Sequence, residues 1–94
     1  GKGNVLLFEP AMSPDGLRRL TDLVMSACGG RAAIFAGGDA EGYKYAVGEQ
    51  NGDLRQLIKD LNAQLHGRGG GKPFFVQGSV QTGRAEIEAF FADR

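Results

Sequence analysis

Residues 67–79 read Gly-Arg-Gly-Gly-Gly-Lys-Pro-Phe-Phe-Val-Gln-Gly-Ser, and four of the first five are glycine. Glycine loses more conformational freedom on folding than any other residue, so such a cluster costs stability. It is kept where the backbone takes a positive φ or where another group must come close. A bare backbone flanked by Arg68 and Lys72 suits an anionic partner such as a phosphate. Two known phosphate loops fail against it. A P-loop needs Gly-x-x-x-x-Gly-Lys-[Ser/Thr], but Gly71-Lys72 is followed by Pro73 and the position five before Gly71 is His66. The dinucleotide fingerprint needs its glycines between a strand and a helix. Here they follow a helical pattern and precede a strand pattern, with Lys72 at the third glycine position.

Other reactive residues are sparse. The one histidine, His66, falls at a helix C-terminus, where a cation suits the dipole. One Cys and one His do not make a zinc site, so no metal or other cofactor is expected. Cys28 lies on the apolar stripe of the first helix and reads as core. Glu86 and Glu88 are two apart on a helix and point in different directions, so they are no paired acid and base. Glu9 beside Pro10 reads as a strand end. No catalytic group is assigned. Phe74 and Phe75 are consecutive strand residues facing opposite sides. An outward Phe beside Lys72 either stacks on a base or packs under a neighbouring element.

Ninety-four residues predict one domain, 1–94. Because the chain opens Gly1-Lys2-Gly3 without a methionine, a C-terminal piece of a longer protein is expected. Eleven Lys and Arg balance eleven Asp and Glu, which argues against strong sequence-blind nucleic-acid binding, since that rests on net positive charge. The charge is unevenly spread: residues 55–84 hold five basic residues and one acid. The basic bias therefore surrounds the glycines. A single cysteine excludes an intrachain disulfide and fits a reducing compartment, here the cytoplasm. No apolar run approaches the roughly 20 residues needed to span a membrane, and no signal peptide is evident.

The positioning elements follow from the pattern. Residues 4–9 form a buried strand closed by Pro10. Ser13 caps a helix with Pro14 in its first turn. Leu17, Leu20, Val24 and Cys28 make its inner stripe, and Gly29-Gly30 ends it. Residues 32–36 and 43–48 are strands of an antiparallel hairpin around the polar turn 37–42. Tyr43, Tyr45 and Val47 alternate with Lys44, Ala46 and Gly48, as in a half-exposed strand. Asp53 and Gln56 predict a capping box. Leu54, Leu57, Ile58, Leu61 and Leu65 form the stripe of a second helix, stopped by Gly67. Residues 73–80 are a further strand, with Gly78 a candidate interruption. Thr82 or Gly83 caps a last helix with inner residues Ile87, Phe90 and Phe91. The expected class is α+β (two-layer α/β), a mixed β-sheet with helices packed on it in the order β-α-β-β-α-β-α.

This order, with Gly-Arg-Gly-Gly-Gly-Lys-Pro-Phe-Phe-Val-Gln-Gly-Ser before the last helix, resembles the DHH-associated domain over nearly the whole chain. That domain ends alanyl-tRNA synthetases and the long free-standing alanyl-tRNA editing proteins, and it occurs in DHH-type phosphoesterases. In the phosphoesterase branch a histidine that touches substrate phosphate typically follows the glycines; here Lys72-Pro73 stands in its place. The synthetase pattern of glycines, a basic residue, Pro, two residues, Ala-Gln and Gly is met by Lys72, Pro73, Phe74, Phe75, Val76, Gln77 and Gly78. Val76 replaces the usual Ala, and Ser79 stands where a second Gly is common, departures closer to the editing relatives.

The resemblance implies an RNA-contacting role. Such a domain docks tRNA, tRNA(Ala) in the first instance, at the outer corner of its L shape. Other domains of the parent perform aminoacylation or hydrolysis of mischarged tRNA. The RNA contacts are expected from Arg68, Gly69, Gly70, Gly71, Lys72, Gln77 and Ser79. Two alternatives stand beside this: a protein-interaction module that packs on another segment or forms a homodimer, and the substrate-binding domain of a DHH-type phosphoesterase.

Overall fold

The computed structural model describes residues 3–92 and Arg94. Its elements run β1 (Gly3–Glu9), α1 (Pro14–Cys28), β2 (Gly29–Gly38), β3 (Gly42–Glu49), α2 (Arg55–Gln64), β4 (Gly67–Lys72), β5 (Phe75–Val80) and α3 (Arg84–Phe91). The five strands form one sheet in the order β1-β2-β3-β5-β4. β1 pairs with β2 in parallel, and every other pair is antiparallel. The α+β class, the mixed sheet and the expected succession of elements are all present. Two features are added. The glycine stretch is itself a strand, β4, at one edge of the sheet. Helices also lie on both faces, so the two layers expected become a sheet with α1 on one face and α2 and α3 on the other.

Local chemistry explains most boundaries. Ser13 Oγ accepts from Gly16 N at 3.0 Å and Pro14 opens α1. Gly29, at φ 74°, closes it, and β2 starts at that same residue. The parallel β1-α1-β2 unit is thus joined with almost no spare chain. The predicted capping box of α2 does not form. The Asp53 carboxylate instead accepts from Arg55 N, Nε and Nη2 at 3.1, 2.9 and 2.6 Å. This guanidinium holds the Asp53 carboxyl down at about 2. Gln56 turns away to Asp60 (3.0 Å), and Leu54 is the N-cap residue, with no side-chain cap. The helix also stops one residue earlier than Gly67 suggested: His66 takes the left-handed turn at φ 52°.

The sheet separates two apolar clusters. On one face Leu17, Leu20 and Val24 of α1 meet Leu7, Ile34, Ala36, Ala46 and Phe75. On the other, Leu54, Leu57, Ile58, Leu61, Ile87, Phe90 and Phe91 cover Phe8, Phe35, Tyr43, Tyr45, Val47, Val76 and Val80. The centre of the sheet is covered on both sides, so β3 is not the half-exposed strand its alternation suggested. Tyr43 through Gly48 are buried except Lys44, which is exposed on the α1 face. α3 is tied to the β2–β3 turn by Asp39, whose carboxylate accepts from Arg84 N (2.9 Å) and Tyr43 Oη (2.7 Å). These two bonds hold the Asp39 carboxyl below the usual carboxylate range.

Candidate nucleic-acid interface

Register decides which side each residue of the glycine hairpin faces, because residues directly opposite across a pair of strands project to the same face. Arg68 pairs with Ser79 and Ser79 with Lys44; Gly70 pairs with Gln77, and Lys72 with Phe75. Phe75 packs in the α1 cluster. Gln77 Nε2 donates to Pro14 O, at the start of α1, at 3.3 Å. Arg68, Gly70, Lys72, Gln77 and Ser79 therefore share the α1 face, joined there by Lys44. A cavity of ≈ 350 Å³ lies beside them, between Pro14 and Leu17 on one side and Lys44, Gln77 and Ser79 on the other. Among the described residues, none of Lys44, Arg68 and Lys72 forms an ion pair, whereas Arg55 and Arg84 are each held by a carboxylate. Three cations, an amide and a hydroxyl on one open face have the donor chemistry to bind a row of phosphates.

Gly69 and Gly71 fall on the opposite face, towards α2, and both a positive φ (155° and 156°) and close packing favour glycine there. A Cβ at Gly69 would run into Gln77 O and lie 2.6 Å from Gly78 Cα and from Tyr45 Oη. One at Gly71 would strike Phe75 O. Gly78, between Tyr45 on β3 and Gly69 on β4, has the same packing constraint. With no side chains on Gly78 and Gly69, the Tyr45 ring lies across two strands. Its Oη donates to Asn62 Oδ1 at 3.0 Å, and Asn62 Nδ2 donates to Gly69 O at 3.3 Å. The glycines thus let a fully buried tyrosine link the edge strand to α2. Gly70 is the exception: a Cβ there would meet nothing within 4 Å.

Burial pushes the Tyr45 phenol up to about 12. The neutral form is favoured by folding, so this contribution is fully present below about pH 10 and lost as pH rises towards 12. Tyr45→Phe leaves Asn62 Oδ1 without its donor and should cost about 1 kcal/mol at neutral pH. The variant lacks the alkaline loss. Urea unfolding curves of the two proteins should therefore converge and cross between pH 10 and 12. A constant gap across that range would show that the phenol ionises as freely in the folded chain as in the unfolded one.

Sequence reasoning did not find Lys44 or Asn62. Lys44 was legible as an outward residue of β3, but its neighbour Ser79 lies 35 positions away and is set by the β3–β5 register. Asn62 sat among the exposed polar residues of α2 with nothing to mark it. His66 lies in the turn that precedes β4, at φ 52°.

Residues 2–93 match the family model described as the DHHA1 domain. Alanine–tRNA ligase of Acholeplasma laidlawii (strain PG-8A) is 28% identical over 75 residues, which is 80% of this chain and 9% of that protein. The chain therefore spans about a tenth of that relative's length. The crystal structure of the C-Ala domain from Aquifex aeolicus alanyl-tRNA synthetase superposes with a TM-score of 0.72 at 18% identity, covering 92% of this chain and 85% of that one. This is a likeness of fold.

Proposed function

The chain belongs to the DHHA1 domain family, and from that premise we propose that it is a tRNA-docking accessory domain of an alanyl-tRNA synthetase-related parent, either the synthetase or an alanyl-tRNA editing protein. It holds the tRNA backbone, that of tRNA(Ala) in the first instance, while other domains of the parent carry out the chemistry. The observation that carries this reading is the shared face of Lys44, Arg68, Lys72, Gln77 and Ser79. The cations supply attraction; Gln77 and Ser79 supply directed hydrogen bonds. Kinship with alanine–tRNA ligase supports the choice of tRNA over other polyanions.

The chain has no net charge, and few phosphate contacts are available, so binding is weak and falls with salt at a slope set by those few contacts. Each neutralised phosphate contributes about −0.9 to the slope of log K against log salt on a duplex, so Arg68→Ala/Lys72→Ala should reduce that slope by about 2. Filter binding of tRNA(Ala) over a salt series measures it. Unchanged affinity at low salt removes these two residues from the site.

A protein-docking or dimerisation role is the second reading, and it is favoured by Leu23, 70% exposed on α1. Size-exclusion mass discriminates: a monomer at every concentration that still binds tRNA counts against it.

A further inference from the structure

We propose that the hollow between α1 and the β4–β5 turn seats one unpaired nucleobase of a bound RNA strand; this rests on the RNA-docking reading and deepens it. The hollow measures ≈ 400 Å³, within the roughly 300–1,000 Å³ of small-molecule sites. Arg18 and Asp22 of α1 line it on one side, Lys72 and Phe74 on the other, with Gly70 on the sheet side.

Three observations converge. Phe74 is 51% exposed, yet its backbone is fixed. Phe74 O accepts from Glu49 N at 3.0 Å, and Pro73 O accepts from Leu54 N at 2.7 Å. The ring is therefore presented on an anchored turn, ready to stack without a large ordering cost. Lys72 Nζ stands over the ring, 5.9 Å from its centroid, so a base that takes this face displaces the ammonium from the ring towards the phosphate that the base carries. Gly70 is the third. Gly67, Gly69 and Gly71 each face backbone or side-chain atoms at close range, while a Cβ at Gly70 would stand in open space. Gly70 also has no positive φ. The fold does not require glycine there, and a side chain would project from the α1 face into the hollow. What the glycine provides is the empty space.

The charges assign the ligand's parts. Asp22 repels a phosphate at its own position and accepts hydrogen bonds from the N–H groups of a base edge. Arg18 and Lys72 attract the flanking phosphates. A base in a duplex has both faces covered by its neighbours, so only an unstacked base offers a free face to Phe74.

Fluorescence anisotropy at fixed low salt tests this with two probes: a short fluorescein-labelled single-stranded RNA of mixed sequence, and the same RNA annealed to its complement. Phe74→Ala and Gly70→Val should each weaken single-strand binding by the roughly 5- to 150-fold that loss of one stacked base costs. Duplex binding should be unchanged in both, and Phe74→Trp should retain the single-strand affinity. Both positions are exposed, and unaltered thermal melts will confirm the fold. Single-strand binding at the wild-type level, or equal losses on both probes, overturns the base seat. Lys44→Ala/Arg68→Ala, neither of which lines the hollow, reads the docking surface separately and should weaken both probes. If that double variant loses binding while Phe74→Ala does not, docking stands and the seat falls. If the wild-type chain binds neither probe, both readings fall.

Discussion

Gly78→Ala should lower the melting temperature by about 8–48 °C, although it adds a single methyl group. That methyl would run into Arg68 O, and it would lie 2.6 Å from Tyr45 Oη and 2.7 Å from Gly69 Cα. Two of the three atoms are backbone and cannot step aside. The third ends a fully buried side chain hydrogen-bonded to Asn62. Overpacking costs about 1–3 kcal/mol, and a buried hydroxyl displaced from its partner costs about 1–3 kcal/mol more. At about 4–8 °C per kcal/mol for a domain of this size, the sum gives the expected fall. Gly70→Ala is the control, one residue along the partner strand from Gly69, where nothing stands within 4 Å. It should change stability by no more than about 0.5 kcal/mol. Differential scanning calorimetry of the pair separates two meanings of one glycine cluster. Equal melting temperatures would show that β4 moves aside freely and that the Tyr45 bridge does not hold it.

The contrast also marks how far the sequence was legible. α1 was readable from Ser13, Pro14 and Gly29 because each acts through a neighbour three residues away or fewer. The β2–β3 hairpin and the stripe of α2 were readable for the same reason. β4 was not. Glycine has poor strand propensity, and a run of it reads as a loop by every local rule. What makes it a strand is remote: β5 supplies the ladder, Tyr45 lies over it, and Asn62 grips Gly69 O. The capping box failed for a smaller reason. Arg55 reached the Asp53 carboxylate first, with a charge-assisted fork that a Gln56 box cannot match.

The candidate face was legible in residue types and illegible in arrangement. Arg68, Lys72, Gln77 and Ser79 stood out as polar groups around the glycines. Whether their side chains faced one way depended on a hairpin that local pattern did not reveal. Once that hairpin exists, spacing by two settles the matter: Arg68, Gly70 and Lys72 go to one face, Gly69 and Gly71 to the other. Lys44 joins only through the β3–β5 register. Positions that looked equivalent in a row of glycines thus divide into those that hold the strand and one that leaves space above it.

Leu61→Ala has an expected effect of the same order and tests how the helix face supports the docking face. Leu61 is fully buried on the inner side of α2, and truncating such a leucine costs about 2–5 kcal/mol. A domain of this length is stable by only about 5–15 kcal/mol, and at about 4–8 °C per kcal/mol the melting temperature should fall by about 8–40 °C. The loss should not be uniform. β4 is bonded to a neighbour strand on one side only. Its glycines offer no side chains to the core, and α2 holds it through Asn62, the residue next to Leu61. Loosening α2 should therefore open β4 before the rest of the sheet. In native-state hydrogen exchange the β4 amides should lose protection first, and tRNA affinity should fall well below the melting temperature. Ile87→Ala provides the comparison. It removes an equally buried residue of α3, a helix on the same face but tied towards the opposite edge of the sheet through Arg84, Asp39 and Phe8. That variant should lose comparable global stability while β4 keeps its protection up to the global transition. If both variants release β4 equally, the edge strand opens only with the whole domain, and α2 is no more its support than α3 is.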